Sequence, residues 1–306
     1  MNNPKKHHFV PESYLSGFTL TGKKKDKFWV IDKLNETVRR STPQNEAHKR
    51  YLYKVKVEKG DDEFAIEKSF SKFENDAIPV LKEIDEKHSI PCGEQYDLLI
   101  NYLALQIVRT PKFRDDLEKM LSNFYNQVGK LCLQMILQSK EYFDNYIDEM
   151  IRHKPYLCKE QFNYGRLCDV VKNRNIKAVI DNNYHVENSL KTINVLLPCL
   201  GNRNWCVLSP MDNRQYFIAS DNPVVLIWSN HRNFNSPLGY GLRGTDVIFP
   251  INKKIAILGR FEPQPIQVLL DFQNVAKLNN YIANSSVRYL YSCEKEPTFY
   301  VPDKKS

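Results

Sequence analysis

The first sixty residues alternate apolar and polar positions over short runs, which is the pattern of half-buried β-strands. Residues 28–32 and 37–40 are separated by a polar turn and predict a hairpin, and residues 51–57 predict a further strand. The chain therefore opens with an extended segment.

Between residues 63 and 200 the apolar residues recur every three or four positions, as they do on amphipathic helices. The spacing predicts helices over 63–84, 93–109, 131–152, 159–182 and 187–195. Thr110 and Pro111 supply an N-cap and a first-turn proline, so another helix, or a kink in a longer one, begins there and continues to Phe124. The middle of the chain is predicted to be a helical bundle.

After residue 201 the period falls to two. Strands are predicted over 205–208, 215–219, 224–228, 246–249, 255–258 and 289–291, with one late helix over 272–284. Strands and helices that are grouped in this way favour an α+β fold. We predict a strand-rich basic segment (1–62), a central helical bundle (63–200) and a mostly antiparallel C-terminal sheet part (201–306), packed as one compact unit.

Composition excludes two broad classes. With 306 residues, 42% hydrophobic and 12% aromatic, the chain buries too much apolar surface to be mainly disordered. A mean hydropathy of −0.52 gives no membrane span. Seven cysteines, with no pair separated by only two residues, argue against a disulfide framework and a cysteine-rich zinc site. The first residues lack the apolar run of a signal peptide, so we expect a cytoplasmic protein without membrane contact.

Positive charge is concentrated at the N-terminus. Residues 1–60 contain 14 Lys and Arg and 6 Asp and Glu. Their difference of +8 equals the net charge of the whole chain. Such a field attracts polyanions, so nucleic acid is the expected partner. The alternative is a solvated hairpin face without a partner. The candidate phosphate contacts are Lys23, Lys24, Lys25, Arg39, Arg40, Lys49 and Arg50.

Two adjacent histidines, His7 and His8, are the first candidates for chemistry. In an extended segment neighbouring side chains point to opposite faces, so one imidazole can enter a site while the other supports it. A neutral imidazole accepts a proton from water or a 2′-hydroxyl, and an imidazolium donates one to a leaving oxygen. The alternative is a terminus that packs through Phe9 and Tyr14.

Charged residues on apolar helix faces are the next candidates. Glu67 and Glu74 are two helical turns apart and share one face, where they need a cation, a metal or a helix end unless the helix turns them to water. Gln106 and Arg109 follow among apolar residues, and a buried arginine requires an anion, either a structural glutamate such as Glu74 or a bound phosphate. Asp221 lies in a turn between two apolar strands, where an aspartate can orient a histidine, ligate a metal or only stabilise the turn.

These residues resemble one known family along the whole chain. The string His7 to Phe18, then Glu67 and Glu74, then residues 106–111, 220–223 and 249–250 are similar to the bacterial family called domain of unknown function 4238. The resemblance implies that His7, His8, Gln106, Arg109 and Asp221 belong to its site, and it implies no established reaction. Members occur in mobile or defence-associated settings, which favours an effector directed at nucleic acid.

A second resemblance is local. Residues 7–11 are similar to the opening strand of His-Asn-His-type ββα nucleases, which implies His7 as a metal ligand, His8 as the base, and Asn45 and His48 as later members. The spacing is longer than in that motif, and knuckle cysteines are lacking.

The hypothesis that we derive is a phosphodiesterase that acts on nucleic acid, with RNA favoured over DNA, and that serves as a phage-defence or toxin-like effector. His8 is the general base, His7 a second acid–base group or metal ligand, Arg109 the phosphate clamp, Gln106 the residue that places water or ribose, and Asp221 the residue that orients a histidine. The cofactor stays open, with His7, Glu67 and Glu74 as candidate ligands of a divalent metal. The alternatives are a non-catalytic sensor that binds a nucleotide or protein in the same cleft, and a buried structural network.

Overall fold

The computed structural model describes residues 6–55, 62–154, 156–172, 181–229 and 237–301. The chain forms two compact units, of which the first contains Met1–Arg114 with Val186–Ser306 and the second contains Asp115–His185. The boundaries between the two units lie after residues 114 and 185. They differ from the predicted segment boundaries near residues 62 and 200.

Helices and strands are grouped as the apolar spacing predicts, and the α+β class is confirmed. The helices are α1 (Glu12–Ser16), α2 (Ala65–Lys87), α3 (Glu94–Val108), α4 (Pro111–Ile136), α5 (Lys140–His153), α6 (Tyr164–Lys172), α7 (Asn182–Gly201) and α8 (Phe272–Ser285). The strands are β1 (Lys6–His8), β2 (Phe28–Asp32), β3 (Thr37–Ser41), β4 (His48–Arg50), β5 (Asn204–Pro210), β6 (Ala219–Ser220), β7 (Val225–Trp228), β8 (Thr245–Pro250), β9 (Ala256–Arg260), β10 (Gln267–Leu270) and β11 (Tyr289–Ser292). Short 3₁₀ turns occupy Pro43–Asn45 and Lys159–Gln161.

The described strands form three sheets, and one of them combines strands from both ends of the chain. The predicted hairpin β2–β3 pairs with β11, which pairs with β6, so the order is β3-β2-β11-β6 and every pair is antiparallel. A second sheet has the order β10-β5-β9-β8-β7, in which only the β10–β5 pair is parallel. The third is the antiparallel pair β1–β4. The N-terminal segment is therefore part of the same unit as the C-terminal sheets.

The main core surrounds α3, whose residues 99–108 are all buried except the half-buried Asn101. α2 packs along α3 with its apolar stripe, and a separate apolar cluster lies between the five-stranded sheet and α8. The predicted start of α4 is confirmed, because the hydroxyl oxygen of Thr110 accepts the backbone N–H of Phe113 at 3.2 Å. No helix in the described ranges combines the length and the apolar character that a membrane crossing needs.

Two predicted strand boundaries are wrong, and one strand is missing from the prediction. The strand predicted over 51–57 lies at His48–Arg50, because Ala47 and Tyr51 have φ angles of 50° and 55° that interrupt extended backbone on either side; residues 56 and 57 fall outside the described ranges. The strand predicted over 215–219 is reduced to Ala219–Ser220, since residues 212–215 form a turn. β10 was not predicted, because it is a half-exposed edge strand behind Pro263 and Pro265.

One glycine on β9 is required by a close contact. Gly259 is paired with Trp205 on β5, and a Cβ at this position would lie 2.9 Å from three atoms of the indole ring. The indole is fixed in turn, because its N–H donates to the carbonyl of Leu200 at 3.1 Å. An added methyl group therefore has no room without a shift of the ring or the strand.

We expect Gly259→Ala to lower the free energy of unfolding by about 2 kcal/mol, the usual cost of overpacking. Thermal unfolding followed by circular dichroism measures the effect. Gly201→Ala is the control, because its Cβ meets no atom within 4 Å in the same unit. Equal melting temperatures for the two variants would contradict the packing argument.

Candidate functional site

A cluster of polar side chains is buried where β1 meets the ends of α2 and α3. β1 contributes His7 and His8, α2 contributes Glu67 and Glu74, and the C-terminal end of α3 contributes Gln106 and Arg109. Six of the residues singled out from the sequence are thus brought into one region of the first unit.

Arg109 lies at the centre of this cluster and is 2% exposed. Its Nη1 donates to the Oε1 atom of Glu74, and its Nη2 donates to the backbone carbonyl of His8. The guanidinium also lies 5.6 Å from the ring centroid of Phe70. Burial lowers the pKa of Arg109, but Glu74, Tyr53 and Glu67 together outweigh burial and the net shift is upward. The cation therefore stays charged and holds β1 against both helices.

Tyr53 connects Arg109 to His7. Its hydroxyl donates to the carbonyl of Arg109 at 2.6 Å, and its backbone N–H donates to Nδ1 of His7 at 3.0 Å. The two rings are stacked, with centroids 5.8 Å apart. Because Nδ1 of the fully buried His7 accepts a hydrogen bond, the neutral ring carries its proton on Nε2. His7 is therefore fixed in place by the protein.

Glu67 has an unusual environment for a carboxyl group. It is 7% exposed, its Oε2 makes no hydrogen bond within the described residues, and it lies 4.0 Å from Nδ1 of His7. Burial raises the pKa of Glu67 to about 7, although Arg109 opposes the shift. The carboxyl group of Glu67 therefore titrates near neutral pH.

Buried polar atoms that lack a hydrogen bond are concentrated here. In the described part of the chain six of ten such atoms belong to this cluster: Nδ1 of His8, Oε2 of Glu67, the hydroxyl of Tyr102, Oε1 and Nε2 of Gln106, and Nε of Arg109. Native proteins satisfy nearly all buried polar groups, and each exception costs about 1–3 kcal/mol. Such a concentration favours a site that binds a polar ligand or ordered water.

A pair of imidazoles lies at the rim of the cluster. The antiparallel register of β1 and β4 places His8 opposite His48, with ring centroids 5.4 Å apart and an angle of 77° between the rings. Burial, followed by the charges of His48 and Arg109, lowers the pKa of His8 to about 4. Burial, followed by Lys6, also lowers the pKa of His48. Both rings are therefore mainly neutral at neutral pH.

Comparison with family models identifies the family of this chain. A model for the proteins of unknown function DUF4238 matches residues 6–296. The chain belongs to this family. No curated protein and no solved structure matches it. The match shows no similarity to His-Asn-His nucleases, and β1 and β4 are not a hairpin followed by a helix, since β2 and β3 lie between them.

The contacts of Asp221 in this DUF4238 protein differ from the predicted ones. Its two carboxylate oxygens accept the backbone N–H groups of Val287, Arg288 and Tyr289 at 2.7–2.9 Å. Burial raises its pKa, and these three hydrogen bonds oppose the shift. Asp221 thus fixes the chain between α8 and β11, and these three hydrogen bonds join it to the backbone rather than to the histidine that it is predicted to orient.

The predicted metal ligands are engaged with other groups. Glu74 binds Arg109, and Nδ1 of His7 accepts from Tyr53. Within the ranges that the structure describes, no three His, Cys, Asp or Glu side chains are placed to hold a metal ion. The set of His7, Glu67 and Glu74 is therefore not assembled as a ligand group.

The predicted phosphate contacts of the DUF4238 protein separate into three places. Lys23, Lys24 and Lys25 are exposed in the loop after α1. On β3, Arg39 donates to both carboxylate oxygens of Glu46, and Arg40 lies 5.5 Å from the ring centroid of Trp29. Lys49 and Arg50 are exposed on β4. Only the last two share a strand with the imidazole pair.

The raised pKa of Glu67 makes the free energy of unfolding depend on pH. The pKa of Glu67 is about 7 in the folded chain and near 4.5 in the unfolded chain. Between these values the folded state binds more protons, so the contribution of Glu67 to stability falls as the pH rises from 4.5 to 7.

We expect Glu67→Gln, which cannot ionise, to become more stable relative to the wild type as the pH rises through this window, by on the order of 2 kcal/mol. Urea unfolding of both proteins at pH 4.5, 6 and 8 measures the difference. A difference that stays constant across the three pH values would show that Glu67 ionises normally.

Proposed function

We propose that this protein cleaves phosphodiester bonds in RNA, with His8 and His48 as the acid–base pair. The single observation that carries the proposal is the contact of the two imidazoles across β1 and β4, at 5.4 Å and beside exposed cations. Lys6, Lys49 and Arg50 are exposed on the same two strands and supply the positive charge that a phosphate backbone requires.

The reaction needs one group that takes a proton and one that gives a proton. His8, neutral above a pH of about 4, accepts the proton of the ribose 2′-hydroxyl as its oxygen forms a bond to phosphorus. The bond between phosphorus and the 5′-oxygen breaks, and His48 donates a proton to that oxygen. A bound phosphate anion raises the pKa of the neighbouring His48 and so supplies the protonated form that this step requires.

Arg109 has a positioning role in this proposal. Two of its nitrogen atoms are bonded to Glu74 and to the carbonyl of His8, so it fixes the backbone that carries the base rather than clamping phosphate. His7 stabilises the same strand through Tyr53. An effector of phage defence that degrades RNA would fit this activity and the expectation from the family.

A non-catalytic nucleotide sensor is the second candidate. The observation that favours it is the buried amide of Gln106, which has no hydrogen-bond partner among the described residues and stands one helical turn from Tyr102. An amide of this kind forms paired hydrogen bonds with a base. The sensor binds RNA or a nucleotide without turnover.

We expect His8→Ala and His48→Ala each to lower the rate of RNA cleavage by about 10²- to 10⁴-fold, the usual contribution of a general acid or base. The measurement follows a 5′-labelled oligoribonucleotide, with and without divalent cations, beside the same oligomer with 2′-deoxyribose at the cleaved position. The deoxy substrate should resist cleavage. His153→Ala is the matched control, because His153 is exposed at the end of α5.

Unchanged cleavage in both variants would reject the acid–base pair. Binding of the oligoribonucleotide without cleavage by the wild type would favour the sensor instead.

A further inference from the structure

One face of the five-stranded sheet is only partly covered by a helix. α8 contacts both edge strands, β7 and β10, so it crosses this face rather than following one strand. A helix is about 10 Å thick, whereas the seven residues of β5 extend over about 23 Å. Part of the strand length therefore lies beside α8 and not beneath it.

A groove of about 370 Å³ lies between the sheet and α8. Side chains alternate along a strand, and the strand register places the sheet residues of its floor on one face. The aliphatic residues of the lining are Leu208, Ile227, Ile248, Leu258, Val268 and Leu278. Proteins bind small molecules in concave sites of this size, with apolar walls and a few polar groups.

Arg260 lines the groove and is held in place by a buried acid. Its Nε donates to Oδ1 of Asp246 at 2.9 Å, and its Nη2 donates to Oδ2 at 2.6 Å. Asp246 is 2% exposed and also accepts from the hydroxyl of Ser229 at 2.6 Å, so it is fixed in turn. Nη1 of Arg260 makes no hydrogen bond within the described residues, and the side chain is 41% exposed. The guanidinium is therefore oriented and keeps donors for an anion.

The charges that line the groove have a positive balance. Lys277 on α8 adds a second cation, and Asp246 is the one acid among the described residues of the lining. Glu262 also lies near Arg260, but it is exposed and outside the lining, so water screens its charge. The groove consequently complements a ligand with one negative charge and an apolar body.

We propose that this groove binds a carboxylate with an aliphatic chain of about ten carbon atoms. A carboxylate matches the planar donors of Arg260, and the aliphatic lining matches the chain. At about 30 Å³ per non-hydrogen atom, the volume of a water molecule in the liquid, the groove holds about twelve such atoms, which is the size of decanoate. The lining shares no residue with the cluster around Arg109 or with the imidazole pair, so this site does not depend on RNA cleavage.

Isothermal titration calorimetry of the full chain with decanoate tests the proposal. We expect a dissociation constant on the order of 10–100 µM, as for a ligand of about twelve atoms. Decanol, which has no charge, and decylammonium, which has the opposite charge, should each bind at least tenfold more weakly. From hexanoate through octanoate to decanoate, affinity should rise about two- to fourfold per methylene group, because each added group enters the apolar groove.

Two substitutions on β10 form a matched pair. Val268 lines the groove, whereas Leu269 lies on the other face of the same strand and is 57% exposed. Val268→Phe should fill the groove and weaken decanoate binding at least tenfold, and Leu269→Phe should change it less than twofold. Phenylalanine is a good strand former, so both variants should fold, as circular dichroism will show.

Arg260→Lys tests the carboxylate contact separately. The lysine keeps a cation beside Asp246 and removes the planar set of donors. Decanoate binding should weaken at least fivefold, while decanol binding should stay unchanged.

Four results would overturn the proposal. They are a dissociation constant for decanoate above about 1 mM, equal affinities for decanoate and decanol, a folded Val268→Phe variant that binds as the wild type does, and an Arg260→Lys variant that keeps the wild-type affinity. Trp228 and Tyr281 also line the groove, so 4-phenylbutanoate, with the same number of non-hydrogen atoms as decanoate, is the competing ligand. Tighter binding of 4-phenylbutanoate than of decanoate would reject the aliphatic chain in favour of an aryl group.

Discussion

The buried ion pair between Arg109 and Glu74 is the interaction on which the candidate site depends. A guanidinium that is 2% exposed needs an anion and further acceptors, because a lone buried charge is costly. Glu74 provides the anion from α2, and the carbonyl of His8 provides an acceptor from β1, a hundred residues earlier in the chain. The position of β1, and hence of both histidines, follows from this requirement.

The same pair limits what Arg109 can do chemically. An arginine whose Nη atoms are bonded to a carboxylate and a carbonyl has a fixed place, and a phosphate would compete with both partners. The exposed cations of β1 and β4 have no such constraint, and they lie beside His8 and His48. The buried Arg109 therefore orders the backbone, while the exposed cations of β1 and β4 face solvent.

Much of this arrangement follows from residue patterns, because it depends on short-range rules. Amphipathic spacing locates α2 and α3, a threonine and a proline locate the start of α4, and the need of a buried arginine for an anion makes Glu74 a candidate partner. Pairing between distant strands does not follow from such rules. The contact of His8 with His48 depends on β4 lying at residues 48–50, and the turn at Tyr51 that ends it has no strong signal in the sequence.

Asp221 is a second example of what residue patterns cannot predict. A carboxylate in a loop between apolar strands is compatible with a catalytic role and with a structural one, and only the course of the chain decides between them. Here residues 287–289 present three backbone N–H groups to it. An acceptor of three hydrogen bonds has little capacity left to orient an imidazole, so the fold assigns this residue to the sheet.

Burial shifts the two titrating groups of the cluster in opposite directions, with one electrostatic result. Glu67 gains a pKa of about 7 and His8 one of about 4, so near neutral pH the first is about half protonated and the second is neutral. Both shifts reduce the charge that the interior must accommodate, which leaves Arg109 and Glu74 as a compensated pair. A nearly neutral interior therefore lies beside a positive rim that carries His8 and His48, and the positive charge of this rim favours the neutral form of both imidazoles in the absence of an anion.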